Sequence, residues 1–267
     1  MHSVVVSDLD GTLLNSQHKI TPYTREVIRR LHDAGIKFVF ATGRHHIDVG
    51  RLANELGISM YLITANGARV HNPSGQIIIR HDIFPEIVPE LIDLGREFQG
   101  KVLTNMYQED SWFIEERHES VDHFSDENKF AYQLQDLDTV NTTGVSKIFY
   151  LAEKHEDLLP LEKRIRDELE DSVSMTFSLP NCLEVMAPGV CKGVALAEVL
   201  KLKGLDFKNA VAFGDGLNDY EMLQGVDKGL LMGNADKKLR ALLPDNEMIG
   251  DCNENGVAAF LERHYSH

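Results

Sequence analysis

Two aspartates spaced by two, Asp8 and Asp10, follow a run of valines near the start of the chain, and Gly11 comes next. The valine run predicts a buried strand, because β-branched side chains pack well on a pleated surface. A period of two would turn both carboxylates to one side of the strand end. Charges that close repel by about 4 kcal/mol at about 4 Å in an effective dielectric of about 20. The pair therefore needs a cation, a shared proton or water, and Mg²⁺ suits such oxygen ligands. Taken alone, the stretch also fits a strand that ends in an acidic turn.

A hydroxyl and a glycine, Thr42 and Gly43, follow the next predicted strand, over residues 36–41. Ligands of open α/β sheets bind outside the carboxyl ends of the strands, so Thr42 is expected in the same crevice as Asp8. The Thr42 hydroxyl and the Gly43 N–H can donate to a phosphate, and a following helix N-terminus favours an anion. Thr42 also fits a simple helix N-cap, which is compatible with that role.

The last third of the chain supplies a cation and a third carboxylate. Lys192 opens a predicted helix, where it can hold a phosphate and offset the aspartates, although a lysine there is more often solvated. Asp215 follows a buried strand and offers a metal ligand. Asn218 can orient a phosphate oxygen, and Asp219 can pair with Lys192. A turn with an N-cap would explain residues 214–219 equally well.

Composition indicates a globular protein with a strongly acidic surface. Of 267 residues, 43% are hydrophobic and 26% charged, and 42 acidic against 27 basic residues give a net charge of −15. This field disfavours nucleic acids and anionic membranes as partners. Three cysteines without paired spacing indicate a reducing compartment. No signal peptide or transmembrane run is recognised, so a cytoplasmic location is expected.

Helix and strand patterns alternate up to about residue 80 and again after residue 190, which predicts an α/β fold with a parallel sheet. Between them, helical patterns over 83–98 and 155–169 and several strand patterns predict an α+β insert with its own core. The polar stretch 115–128 is expected to be a loop with some helix. Thr21 and Asn255 are predicted to cap the helices that follow them, and residues 248–249 to form an edge strand.

The four stretches together resemble the haloacid dehalogenase superfamily of phosphotransferases. The matching residues are Asp8 to Thr12, Thr42 within Ala41 to Arg44, Lys192, and Gly214-Asp215 through Asn218-Asp219. The insert resembles the Cof-type branch of bacterial sugar and cofactor phosphatases, and among these the members that act on pyridoxal phosphate and hexose phosphates. The resemblance covers the whole chain and is weaker over the insert. It implies a Rossmann-like core over residues 1–81 and 190–267 and a mobile cap over residues 82–189.

The resemblance also implies roles for the site residues. Asp8 would be the nucleophile that forms an aspartyl phosphate, and Asp10 would protonate the leaving alkoxide and then accept a proton from water. Mg²⁺ would be held by Asp8, the main-chain carbonyl of Asp10, and Asp215. Phosphoryl oxygens would be bound by the Leu9 backbone N–H, Thr42, Gly43, Lys192 and Asn218.

Substrate choice is expected to lie with the cap, because the core meets mainly the phosphate. Candidate contacts are Arg44, His45, His46, Asn66, Gly67, Arg69, Asn181 and Glu184, each of which is also explained as a structural or solvated polar residue. Three aromatic residues of the insert fit either stacking on a pyridine ring or the cap's own core. They are Tyr107, Trp112 and Phe113.

Three functions remain open at this point. The first is a Mg²⁺-dependent phosphatase of small phosphomonoesters, including pyridoxal phosphate and sugar phosphates, present as a monomer or weak homo-oligomer. The second is a module that binds phosphometabolites without catalysis, for example in regulation. The third is a phosphomutase. The presence of Asp8, Asp10, Lys192 and Asp215 together favours the first, because a pure binder has no need of a proton shuttle.

Overall fold

A computed structural model of the chain describes residues 2–119, 121–122 and 130–266. The chain divides into two compact units: the first comprises Met1–Arg44, Val49–Ile79 and Cys191–His267, and the second His45–Asp48 and Arg80–Val190. The loop predicted over residues 115–128 lies partly outside the described residues, at positions 120 and 123–129.

Strands and helices alternate through the first unit and mix more irregularly in the second. The strands of the described residues are β1 (Val4–Ser7), β2 (Lys37–Ala41), β3 (Met60–Thr64), β4 (Arg69–His71), β5 (Ile77–Arg80), β6 (Val102–Gln108), β7 (Ser111–Ile114), β8 (Gln133–Leu134), β9 (Val145–Ala152), β10 (Ser174–Leu179), β11 (Cys182–Met186), β12 (Ala210–Gly214) and β13 (Lys228–Leu231). The α-helices in the described part of the chain are α1 (Pro22–Asp33), α2 (His46–Leu56), α3 (Val88–Arg96), α4 (His155–Leu169), α5 (Lys192–Leu202), α6 (Tyr220–Gly225), α7 (Lys237–Leu242) and α8 (Gly256–His264). In the part of the chain that is described, no helix has the length and apolar character needed to cross a bilayer.

The sheet of the first unit has the strand order β13-β12-β1-β2-β3-β4-β5. β1 lies between β12 and β2 and pairs with both in parallel, and β2 pairs with β3 in parallel. β4 turns back and runs antiparallel to β3. The carboxyl ends of the parallel strands therefore share one edge of the sheet, which is where such folds place their ligands.

Both faces of this sheet are covered, as the valine run of β1 predicts. Val5 belongs to a buried cluster that includes Leu261 of α8. Val4 and Val6 belong to a second cluster that includes Leu196 of α5. Because side chains alternate along a strand, the same three valines anchor helices on both faces and hold the end of β1 in place.

The predicted caps of two helices have different outcomes. Thr21 caps α1, and its hydroxyl accepts the Thr24 N–H at 3.2 Å, as predicted. Asn255 precedes α8, but its side chain caps no helix N–H, so that prediction is wrong. Its backbone is left-handed, with φ of 58°, and its side-chain oxygen instead accepts the Thr21 hydroxyl at 2.5 Å. The predicted edge strand over 248–249 is reduced to one bridge, between Leu231 and Met248.

The second unit has a six-stranded sheet in the order β10-β11-β9-β6-β7-β8. The pairs are antiparallel except for β7 with β8. One face packs under α3 and α4, and Phe113 is a buried member of that cluster, as expected for a core residue of the insert. Tyr107 and Trp112 lie in a separate aromatic cluster with Phe130 and Phe149. Alternation along β7 thus separates Trp112 from Phe113, which sequence reasoning grouped together.

Candidate active site

Lys192 lies between two aspartates at the start of α5. Its Nζ donates to Asp8 Oδ1 at 2.7 Å and to Asp219 Oδ1 at 2.6 Å, and the side chain is fully buried. Burial works against a charged amine, but Asp219 and Asp8 outweigh it and raise the pKa of Lys192. The ammonium therefore stays charged beside the predicted nucleophile, and the expected pair of Lys192 with Asp219 is present.

Asp8, Asp215 and Asp219 form an acidic cluster, in which one oxygen from each lies within 4.8 Å of the others. Asp219 Oδ2 accepts the backbone N–H groups of Asp215 at 2.9 Å and Gly216 at 3.0 Å, so both of its oxygens have protein partners. Asp8 accepts a hydrogen bond from Lys192 at Oδ1. Asp215 accepts one from Thr12 at Oδ1 and a long one, 3.5 Å, from Asn234 Nδ2 at Oδ2. These two carboxylates are held by fewer short hydrogen bonds than Asp219 and are better placed to hold a cation. Two close oxygen donors fit a hard divalent ion such as Mg²⁺.

The pKa values of these two carboxylates agree with a cation site. Burial raises the pKa of Asp8 well above its usual range, against the opposing effect of Lys192. Burial and, next, the charge of Asp219 raise the pKa of Asp215 to about 7. The pKa of each group is thus raised even with Lys192 beside Asp8, and a divalent cation would supply further positive charge that favours both ionised forms.

Asp215 is held in place by residues that sequence reasoning did not assign. Thr12 Oγ1 donates to Asp215 Oδ1 at 2.7 Å. Gly11 has a φ of 72°, and a Cβ there would lie 2.3 Å from Asp215 Oδ2. Asn234 Nδ2 donates to the Gly11 carbonyl at 2.7 Å and so supports the same turn. Asn234 follows β13 at the carboxyl edge of the sheet, and this position was the signal available in the sequence.

Asp10 has its own cation, which is distinct from that of Asp8. Arg44 Nε donates to Asp10 Oδ2 at 2.6 Å, and Arg44 Nη2 donates to Oδ1 at 2.5 Å. His18 Nδ1 lies 3.0 Å from Asp10 Oδ1. Burial alone would raise the pKa of Asp10, but the hydrogen bonds from Arg44 and His18 hold it well below its usual range. Arg44, a predicted substrate contact, thus binds a predicted catalytic carboxylate here.

The remaining predicted phosphate ligands lie along the same strand ends. The Thr42 N–H donates to the Ile63 carbonyl at 2.9 Å, and Thr42 Oγ1 accepts the Arg44 N–H at 3.2 Å. Gly43 lies between these two residues. The Leu9 carbonyl accepts the N–H of Thr12 at 3.2 Å, which curls the chain immediately after Asp8. Asn218 Nδ2 donates to Asn66 Oδ1 at 3.1 Å.

Four other predicted substrate contacts belong to the second unit. His45 Nε2 lies 2.9 Å from the Glu109 carbonyl oxygen, and its ring stacks on Phe130 with centroids 4.3 Å apart. Glu184 forms a buried ion pair with Lys147. His46 lies 3.1 Å from Asp110, and the Asn181 carbonyl accepts the Ala152 N–H at 3.2 Å; both contacts are within the second unit. In the first unit, Arg69 Nη1 donates to the Ala68 carbonyl at 2.9 Å.

Comparison with known proteins gives consistent matches along almost the whole chain. The family of haloacid dehalogenase-like hydrolases matches residues 5–261. An HMP-PP phosphatase of Enterobacter sp. (strain 638) is 35% identical over 261 residues, which is 98% of this chain and 95% of that protein. A Buchnera aphidicola subsp. Baizongia pistaciae protein, named as a phosphatase without a substrate, is 36% identical and covers 99% of both chains. The crystal structure of a haloacid dehalogenase-like hydrolase from Bacteroides thetaiotaomicron has 28% identity and a TM-score of 0.87, with 99% and 100% coverage of the two chains.

Proposed function

The chain belongs to the haloacid dehalogenase-like hydrolases, and we propose that it is a Mg²⁺-dependent phosphatase of small phosphomonoesters that reacts through Asp8. Phosphatase activity is what the family and the named relatives support. The observation that carries the proposed chemistry is the position of Asp8, which contacts Lys192 at 2.7 Å and lies in one cluster with Asp215. A carboxylate between a fixed ammonium and a second carboxylate suits a nucleophile that must approach an anionic phosphate.

In the proposed reaction, an Asp8 carboxylate oxygen attacks phosphorus, and the bond from phosphorus to the ester oxygen breaks. The leaving alkoxide takes a proton from Asp10. Water then attacks the aspartyl phosphate and gives a proton to Asp10, which releases inorganic phosphate and restores Asp8. Splitting the reaction in two replaces one difficult displacement by two easier steps.

Asp10 must therefore bind a proton during the cycle, although Arg44 and His18 favour its ionised form in the absence of substrate. The negative charge of an incoming phosphate ester offers Arg44 a second partner. A weaker hold of Arg44 on Asp10 would then raise the pKa of this carboxyl. The Arg44 contact is thus compatible with both its predicted role toward the substrate and the acid–base role of Asp10.

A Mg²⁺ ion would be held by the carboxylates of Asp8 and Asp215 and by the main-chain carbonyl of Asp10. When bound, it would neutralise charge on the transferring phosphoryl group. Thr12 holds Asp215 ready for this role through the 2.7 Å hydrogen bond. Fixed outer contacts of this kind orient a ligand before the ion arrives.

The phosphoryl oxygens would be bound by donors at the strand ends, because phosphoryl transfer depends mostly on positioning and charge stabilisation. We assign Thr42, Gly43, Lys192, Asn218 and the Leu9 N–H to this task. Lys192 provides the charge, and the others provide directed hydrogen bonds.

As substrates we propose pyridoxal phosphate and sugar phosphates, with Arg44, His45, Asn66 and Glu184 as candidate residues that select among their leaving groups. HMP-PP joins this set, because relatives that carry that name are 35% identical over 98% of the chain. These compounds differ in shape and charge but share a phosphate that the same core groups can bind.

The decisive experiment measures phosphate release from a panel of esters by the wild type and by Asp8→Asn in Mg²⁺. The panel contains pyridoxal phosphate, fructose phosphate, flavin mononucleotide and HMP-PP. Asp8→Asn is expected to lose at least a thousandfold in kcat, because the amide is a poor nucleophile. Asp33→Asn makes the same chemical change at a side chain that is 83% exposed and should keep full activity.

Equal turnover by Asp8→Asn and the wild type would reject the proposed chemistry. Tight binding of the esters without phosphate release would favour the binding module instead. Pyridoxal phosphate ranking last in kcat/KM would reject the preferred substrate and leave the reaction type intact.

A further inference from the structure

A turn with three successive positive φ angles follows β3 in the first unit. The φ values are 47° at Ala65, 56° at Asn66 and 106° at Gly67. Glycine adopts such angles freely, but alanine and asparagine do so at a cost. Costly backbone of this kind persists only where the surroundings impose it, and it clusters at functional sites.

The surroundings of this turn are the segments that carry the proposed phosphate ligands. The Asn66 N–H donates to the Thr42 carbonyl at 3.0 Å, and the Ala65 N–H donates to the Arg44 carbonyl at 3.0 Å. The turn is therefore tied directly to the strand end that presents Thr42 and Gly43.

The same turn contacts the other two segments. A Cβ on Gly67 would lie 2.5 Å from the Cys191 carbonyl oxygen, so the turn packs directly against the residue before Lys192. Asn66 Oδ1 accepts a hydrogen from Asn218 Nδ2 at 3.1 Å, and both side chains are buried. Residues 65–67 thus join three segments that are far apart in the sequence.

We propose that Asn66 is a positioning residue that orients the Asn218 amide toward the phosphate, from a left-handed turn that aligns the three segments. The proposal rests on the phosphatase function proposed above. An amide group carries two N–H hydrogens. One holds Asn66, and the other is then directed at a phosphoryl oxygen. Asn66 acts through Asn218 and need not touch the substrate.

The key variant is Asn66→Gly, because glycine accepts the backbone angles and removes the side chain that accepts the Asn218 hydrogen bond. We expect it to fold and to lose about tenfold in kcat/KM, with the loss mainly in KM if Asn218 binds phosphate equally in ground and transition states. The Asn218→Ala variant should lose at least as much. In the Asn218→Ala background, Asn66→Gly should have little further effect, since its partner is already gone.

Asn255→Gly is the matched control. Asn255 has a φ of 58°, and its side-chain oxygen also accepts a hydrogen bond, from the Thr21 hydroxyl. The control variant should shift the melting temperature and leave kcat/KM unchanged. If Asn66→Gly fails to fold, Asn66→Ser replaces it, because a serine hydroxyl is too short to reach Asn218, and the same result is expected.

Binding of inorganic phosphate, measured by calorimetry in Mg²⁺, repeats the comparison without turnover. If the wild type releases no phosphate from any ester, the proposed function fails, and this binding series still tests the turn. The inference is supported if Asn66→Gly weakens phosphate binding in the wild-type background and has no further effect on binding in the Asn218→Ala background. Unchanged binding and kcat/KM in Asn66→Gly, or losses that multiply in the double variant, would overturn it while the phosphatase proposal stands.

Discussion

The Arg44 guanidinium holds the Asp10 carboxylate with two hydrogen bonds, from Nε at 2.6 Å and from Nη2 at 2.5 Å. Two parallel bonds from one guanidinium fix the plane of a carboxylate as well as its position. Asp8 is held instead by the Lys192 ammonium. The two carboxylates of one short segment therefore bind different cations, which fits the separate roles proposed for them, Asp8 as nucleophile and Asp10 as acid–base group.

Arg44→Gln should destabilise the protein at pH 7 by about 1 kcal/mol, a modest value because the Asp10 side chain is 38% exposed and solvent screens the pair. Asp10 has a depressed pKa in the folded state, so its stabilisation is present above about pH 4 and is lost as the pH falls below it. Urea unfolding measures the free energy of unfolding of wild type and variant at pH 7 and pH 3, and the difference between them should be smaller at pH 3. The surface pair of Arg30 with Glu262 supplies the control, Arg30→Gln. A difference that is independent of pH would contradict the assignment.

Asp215→Asn should abolish phosphate release yet stabilise the metal-free protein at pH 7.5 by up to about 4 kcal/mol, since the pKa of Asp215 lies about three units above its ordinary value and one unit is worth about 1.4 kcal/mol. The pKa of Asp215 is raised to about 7 when folded, so the unfolded chain releases this proton first. Wild-type stability should therefore fall between about pH 4 and pH 7, and the variant should lack this loss. Urea unfolding in EDTA, repeated between pH 4 and pH 7.5, measures the stability of the wild type and of the variant. Added Mg²⁺ should stabilise the wild type and not the variant, and a less stable Asn variant at pH 7.5 would argue against the site.

Lys192→Met should lower stability by about 3–5 kcal/mol, because it leaves two buried carboxylates without their cation. Lys201→Met, at an exposed position of the same helix, should change stability by less than about 0.5 kcal/mol. Adding Asp219→Asn to Lys192→Met should recover part of the loss, since one uncompensated charge disappears. Denaturant midpoints at pH 7 provide the measurement. Equal losses of stability in Lys192→Met and Lys201→Met would refute the prediction.

Gly11→Ala and Gly75→Ala separate backbone strain from the metal site. The two glycines have similar φ values, 72° and 78°, but a Cβ on Gly75 meets no atom within 4 Å, whereas one on Gly11 meets Asp215 Oδ2 at 2.3 Å. Both variants should lose about 1 kcal/mol of stability from the left-handed backbone. Only Gly11→Ala should displace Asp215 and raise the Mg²⁺ concentration for half-maximal activity about tenfold or more. The measurement is activity as a function of Mg²⁺ concentration for both variants. An equal rise in the half-maximal Mg²⁺ concentration in Gly75→Ala would show that backbone strain alone is responsible.

Local patterns predicted the bounds of α4, His155–Leu169, and the start of α5 at Lys192 to the residue. The helix predicted over 83–98 begins later, at Val88, and ends at Arg96. Pro85 and Pro89 explain the late start, because proline lacks the N–H of a helix interior and restricts the residue before it. The contacts of Thr12, His18 and Asn234 escaped prediction for another reason: they depend on partners elsewhere in the chain.

The order of residue types by itself determined that carboxylates, a hydroxyl and an ammonium fall at the ends of predicted strands and helices, because hydrophobic periodicity and strand direction are local properties. Tertiary structure decided which charge meets which. Lys192 reaches Asp8 across 184 positions, and Arg44 reaches Asp10 across 34. Such pairings follow from strand order and helix packing. The energy of a charge pair depends on the distance between the two groups in space, and this distance is not encoded in any periodic pattern of the sequence.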